Sequence, residues 1–127
     1  MQIPVFSVRA GDGRIGSMTV LCRLDDLPDP GSIRVALTFR GKSVQAMVIR
    51  RGGVVRAYVN SCPHVGAPLD FTKGRFLDVE RTHILCANHG ALFRIEDGHC
   101  LSGPCKGKDL TPIPVELRDG YIVAGGD

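Results

Sequence analysis

The stretches Cys62-Pro63-His64-Val65-Gly66-Ala67-Pro68-Leu69-Asp70 and Cys86-Ala87-Asn88-His89-Gly90-Ala91-Leu92-Phe93 decide how this chain is read. Each holds one thiol and one imidazole close together, and 21 residues lie between His64 and Cys86. Gly66 follows His64 by two positions and Gly90 follows His89 directly. Glycine permits positive φ and removes a side chain where backbone must crowd a bound group. Pro63 and Pro68 stiffen the first loop. These are ligand-bearing loops rather than regular elements.

Two thiolates and two imidazoles, ordered Cys-x-His and then Cys-x2-His, match the needs of a [2Fe-2S] cluster with Cys62 and Cys86 on one iron and His64 and His89 on the other. Two ferric ions, two sulfides and two thiolates sum to a neutral site. Adding an electron to it costs less than adding one to the dianion that four thiolates would make, so histidine ligation raises the reduction potential. Backbone N–H groups of the glycine turns can stabilise the added charge. Structural zinc sites usually pair like ligands, as C-x2-4-C and H-x3-5-H; zinc also accepts mixed pairs and stands as the competing metal. The second nitrogen of each imidazole is expected at the surface, where electrons would leave.

The remaining metal-ligating residue types have plainer readings. Five cysteines are an odd count, which favours ligands and thiols over a disulfide framework. Cys22 ends the apolar run Met18-Thr19-Val20-Leu21-Cys22 and reads as a small buried hydrophobe. Cys100 and Cys105 flank Leu101-Ser102-Gly103-Pro104; packing against the site is the expectation, with pairing or assistance to the cluster as alternatives. His83 and His99 fit neither cassette and read as ordinary surface or capping residues.

Around the cassettes the chain reads as β-structure. Its 127 residues suit one domain, and 16 glycines with 8 prolines favour short strands and turns over long helices. Strands are expected at about 17–23, 33–39, 43–50 and 54–59, with one helical turn at Leu24-Asp25-Asp26-Leu27-Pro28. Turns are expected at Asp29-Pro30-Gly31, Arg40-Gly41-Lys42 and Arg51-Gly52-Gly53. Val44-Gln45-Ala46-Met47-Val48 alternates only loosely, leaving its faces unassigned. Val5, Phe6 and Val8 suggest an edge strand before Gly11-Asp12-Gly13. Residues 60–107 are loop-rich, with apolar pieces at 83–85 and 91–93. Pro112–Leu117 and Tyr121–Ala124 flank Arg118-Asp119-Gly120 as a closing hairpin. The expected organisation is an extension at 1–16 and one domain at 17–124, with a cluster-binding subdomain at about 60–107.

Charge excludes little. The net +3 is too small to imply nucleic acid. Residues 1–59 carry nine Lys/Arg against four Asp/Glu, and residues 60–127 seven against nine. The mild acidity of the second half could steer a basic partner, but surface charge of this size is more often simple solvation. No apolar stretch approaches the ~20 residues of a membrane helix, and no secretory or twin-arginine signal is apparent. A soluble cytoplasmic protein is expected.

The two cassettes resemble the cluster-binding boxes of Rieske proteins, and Gly103-Pro104 resembles that family's proline loop. Leu24-Asp25-Asp26-Leu27-Pro28 and Ala57-Tyr58-Val59-Asn60 are similar to soluble Rieske ferredoxins, the small carriers of ring-hydroxylating dioxygenase systems. The likeness covers about residues 17–124. It implies an all-β Rieske fold of stacked antiparallel sheets with the cluster at one tip of the loop-rich subdomain. Respiratory-chain members add a cysteine to each box, joined as a disulfide. The matching positions here are Ala67 and Asn88, so that bridge cannot form. Those proteins also place cluster-bonding Ser and Tyr hydroxyls where this chain has Ala91 and Phe93. Fewer donors near sulfur destabilise the reduced state, which predicts a potential at the low end of the Rieske range, roughly −150 mV.

The resemblance implies a one-electron carrier, not an enzyme, that holds one [2Fe-2S] cluster, docks transiently with a reductase and a terminal oxygenase, and binds no organic substrate. Its alternative is the small subunit of a nitrite reductase-type complex. A fused oxygenase would need a second site of two histidines and a carboxylate, for which only His83 and His99 are left. Nothing suggests a DNA-binding or regulatory module.

Overall fold

Glycine-bearing turns divide the chain into short strands, most of which pair with a sequence neighbour. The computed structural model describes residues 14–15, 18–63, 66–70, 72–87 and 90–125. The strands are β1 (Arg14–Ile15), β2 (Met18–Arg23), β3 (Gly31–Phe39), β4 (Lys42–Arg51), β5 (Val54–Val59), β6 (His83–Leu85), β7 (Leu92–Arg94), β8 (Cys100–Ser102), β9 (Val115–Arg118) and β10 (Tyr121–Gly125). Among the described residues they form three antiparallel sheets, ordered β1-β2-β10-β9, β3-β4-β5 and β6-β7-β8. A 3-10 turn at Leu24–Asp26 fills the expected helical position. No helix among the described residues is long and apolar enough to cross a membrane.

Three hairpins close through two-residue turns whose central residues both have positive φ: Arg40 (53°) and Gly41 (76°), Gly52 (63°) and Gly53 (80°), Asp119 (51°) and Gly120 (83°). That geometry matches the right-handed twist of the paired strands, and at least one glycine in each turn relieves the steric cost. The Asp29 carboxylate accepts from the amides of Gly52 (2.8 Å) and Gly53 (2.9 Å), tying the second turn to the loop before β3.

The β3-β4-β5 sheet lies between two cores. Ala46 and Val48 of β4, with Ala57 of β5, join Leu21, Leu37, Phe39, Ile113, Ile122 and Ala124 in the core shared with the β1-β2-β10-β9 sheet. Met47 and Ile49, with Tyr58, join Leu69, Phe76, Ile84, Phe93 and Leu110 on the other side. The run Ala46-Met47-Val48-Ile49 is fully buried because both faces of β4 are covered, and this erases the polar–apolar alternation that a half-exposed strand displays. Burial of each larger side chain stabilises by about 1.5–3 kcal/mol.

The expected strands at 17–23, 33–39, 43–50 and 54–59 and the closing hairpin are present, with ends shifted by at most three residues. β8 was not expected. Arg14 and Ile15, from the stretch read as an extension, pair with β2. The edge strand suggested at Val5, Phe6 and Val8 lies outside the described residues.

Candidate iron–sulfur centre

Cys62 and Cys86 sit at the head of two loops built alike. The Cys62 amide donates to the Ala67 carbonyl at 2.7 Å, and the Gly66 amide donates to the Cys62 carbonyl at 2.7 Å. In the second loop the Cys86 amide donates to Ala91 and the Gly90 amide to Cys86, both at 2.8 Å. Gly66 and Gly90 both hold positive φ, 78° and 73°. The cause is a repeated Cys-x3-Gly-Ala, Cys62 to Ala67 and Cys86 to Ala91. Counting from the histidines hides this repeat, because they stand two and three residues after their cysteines.

Both cysteines are buried. The Ala87 amide donates to the Leu69 carbonyl at 2.9 Å, joining one loop to the other. At the neck of the first loop, Asn60 Nδ2 donates to Asp70 Oδ1 at 2.8 Å and Asn60 Oδ1 accepts from the Leu69 amide at 2.7 Å. Asp70 Oδ2 accepts from the Gly74 amide at 2.9 Å and lies 3.5 Å from Arg34 Nη1. The Asn60 amide donates to Gln45 of β4 at 2.8 Å, so the neck is fastened to the middle sheet. Among the described residues, Asn60 and Asp70 are the buried polar ones.

A third loop, residues 103–108, closes against the second. A Cβ on Gly103 would stand 2.7 Å from Ala91 Cα, so only glycine permits this approach. The loop carries Cys105, whose sulfur lies 3.9 Å from Cys62 Sγ and 3.7 Å from Cys100 Sγ. Cys100 Sγ also lies 3.2 Å from the Ser102 carbonyl, to which it donates. Burial, then the neighbouring Cys100 and Cys62 sulfurs, pushes the Cys105 thiol up to about 12. None of the five cysteines forms a disulfide. Cys105, expected to pack against the site, is in sulfur contact with Cys62. Among the described residues of the three loops, the exposed charged side chains are Lys106 and Lys108, while Asp70 is buried.

His64 and His89, whose outer nitrogens were expected at the surface, lie outside the described residues. Among the described residues no group of three or more Cys, His, Asp or Glu is set to hold a metal. His83 Nδ1 bonds Thr82 Oγ1 at 2.9 Å and His99 Nδ1 pairs with Asp109 at 2.6 Å, so both are occupied by local partners. Cys22 lies on β2 against the first core; burial and then Asp26 push its thiol up to about 11. A surface groove of about 560 Å³, lined in part by Ser32, Gly74, Arg75, Asp78 and Arg81, includes neither loop cysteine.

Two buried thiols on matched loops, each loop also carrying an imidazole in sequence, form a donor set suited to a histidine-ligated iron–sulfur group. Residues 17–117 match the family model described as Rieske [2Fe-2S] domain. The chain belongs to that family. It therefore carries one [2Fe-2S] cluster, which when bound accepts and releases single electrons. No curated protein sequence matches the chain significantly. Among solved structures, the Rieske domain is similar to a chain of the complex of reduced oxygenase and oxidized ferredoxin in carbazole 1,9a-dioxygenase, with 23% identity, TM-score 0.69, and 89% of this chain and 96% of that chain covered. It is similar to the Sphingomonas yanoikuyae B1 ferredoxin, with 26% identity, TM-score 0.65, and 84% and 95% covered. It also matches the terminal oxygenase of carbazole 1,9a-dioxygenase from Novosphingobium sp. KA1, with 21% identity and TM-score 0.72, but spans 33% of that chain against 95% of its own. In size and fold this Rieske protein resembles the ferredoxins, and it is an electron-transfer protein.

Proposed function

We propose that the chain is a one-electron shuttle that takes electrons from a reductase and delivers them to a terminal oxygenase. Cys62 and Cys86 hold one iron of its cluster, and His64 and His89 hold the other. The domain is residues 17–124, residues 60–107 carry the cluster, and residues 1–16 are an extension. The observation that carries this reading is the pair of matched, buried cysteine loops, bonded to each other through Ala87 and Leu69. The similar ferredoxin chain in complex with an oxygenase supports the choice of acceptor. Contacts with both partners are small and transient.

The test is anaerobic stopped-flow mixing of the dithionite-reduced protein with an oxidised Rieske terminal oxygenase. Reoxidation by one electron per chain is expected. A tagged chain that recovers a sirohaem reductase, and fails to reduce any oxygenase tried, would replace this reading with that of a nitrite reductase subunit.

A further inference from the structure

We propose that Cys105 tunes the cluster: its thiol donates an S–H hydrogen bond to the Cys62 sulfur and stabilises the reduced state. The inference rests on the assignment of Cys62 as an iron ligand. The two sulfurs lie 3.9 Å apart in a buried setting, within reach of an S–H···S hydrogen bond in which either could donate. A ligating cysteine is a thiolate and has no proton to give, so the donor is Cys105. Cys100 completes the arrangement. Its single S–H is shared between Cys105 Sγ at 3.7 Å and the Ser102 carbonyl at 3.2 Å, and neither needs the Cys105 proton, which is left for Cys62. Donors in series polarise one another.

The consequence follows from charge. Reduction adds one negative charge to the cluster and its thiolates, and a donor aimed at a ligand sulfur stabilises that charge more than the oxidised state. Hydrogen bonds to the sulfurs are among the determinants of potential in iron–sulfur proteins. Ala91 and Phe93 offer no side-chain donor here. The third loop supplies one from a different direction, held in place by the contact of Gly103 with Ala91.

The test is the midpoint potential of wild type, Cys105→Ala and Cys105→Ser, titrated at matched iron content, with proton ENDOR of the reduced wild type in water and deuterium oxide. The expected results are a lower midpoint for Cys105→Ala, recovery towards wild type for Cys105→Ser through its hydroxyl, and a coupled exchangeable proton that is missing in Cys105→Ala. Equal midpoints in all three proteins overturn the proposal. If Cys105→Ala does not retain its cluster, the serine variant and the wild-type spectrum decide, and absence of an exchangeable coupled proton overturns it. Failure of the ligand assignment registers separately, as a wild-type EPR spectrum without nitrogen coupling.

Discussion

Asn60 Nδ2 donates to Asp70 Oδ1 at 2.8 Å across the neck of the first cysteine loop, and both residues are buried. The bond closes an eleven-residue loop at its base, while the Cys62–Ala67 and Gly66–Cys62 bonds shape its tip. Asn60→Ala strips partners from the Asp70 carboxylate and the Leu69 amide together. The expected cost is about 1–3 kcal/mol, read as a lower denaturant midpoint, with faster bleaching of the cluster absorbance in air. A variant with unchanged midpoint and unchanged bleaching would show that the neck does not hold the loop.

Tyr58 couples the middle sheet to the cluster-bearing sheet. Its hydroxyl donates to the Ile95 carbonyl at 2.6 Å, and burial pushes its phenol from 10.0 up to about 12. A phenol that holds its proton more tightly in the folded state contributes stability that is fully present below pH 10 and declines as pH rises towards 12. Cys22, raised from 9.0, acts in the same direction. Tyr58→Phe is expected to cost about 1–2 kcal/mol at neutral pH and to flatten the decline between pH 10 and 12. Urea titrations across that range check both.

Two glycines of the third loop separate steric from conformational effects. Gly103 and Gly107 both hold positive φ, at 99° and 89°, but an added Cβ at 103 meets Ala91 backbone whereas one at 107 meets nothing within 4 Å. Gly107→Ala bears only the strain of its left-handed backbone. Gly103→Ala adds about 1–3 kcal/mol of overpacking and pushes the loop off the second cysteine loop. Thermal melts should rank wild type above Gly107→Ala above Gly103→Ala, and the last should have the least iron as purified.

The overall acidity of residues 60–127 does not describe the loops. There the exposed charges among the described residues are Lys106 and Lys108, the Asp70 carboxylate at the neck of the first loop being buried and 3.5 Å from Arg34 Nη1. Reoxidation of the reduced protein by anionic ferricyanide should slow with rising salt, and reoxidation by cationic tris(phenanthroline)cobalt(III) should quicken. Lys106→Glu/Lys108→Glu should reverse both slopes, while Lys42→Glu/Lys73→Glu leaves their signs unchanged. Stopped-flow traces across an ionic-strength series measure this.

The β-core was legible because its turns are local. Arg40-Gly41, Gly52-Gly53 and Asp119-Gly120 mark hairpins in four residues of sequence, and the strands between them follow. The faces of β4 were not legible, because Ala46-Met47-Val48-Ile49 is buried on both sides and carries no alternation. β8 is three residues long and has no pattern of its own. The cysteine loops stood out through their residue types. Their likeness in build was masked by unequal Cys–His spacing and lies in the spacing from cysteine to glycine. Contacts between distant positions left no trace in the sequence: Cys62 meets Cys105 across 43 residues, and Asn60 meets Asp70 only because the loop between them folds back on itself.

The central claim is that two imidazoles replace sulfur on one iron. Pulsed EPR of the dithionite-reduced protein, recorded for wild type and for material with nitrogen-15 histidine, tests it most directly. The account predicts a spectrum with average g below that of an all-cysteine cluster, and two histidine nitrogens coupled to the unpaired spin, lost on replacement of His64 or His89. Iron-free protein, or a cluster signal with no nitrogen coupling, would contradict it.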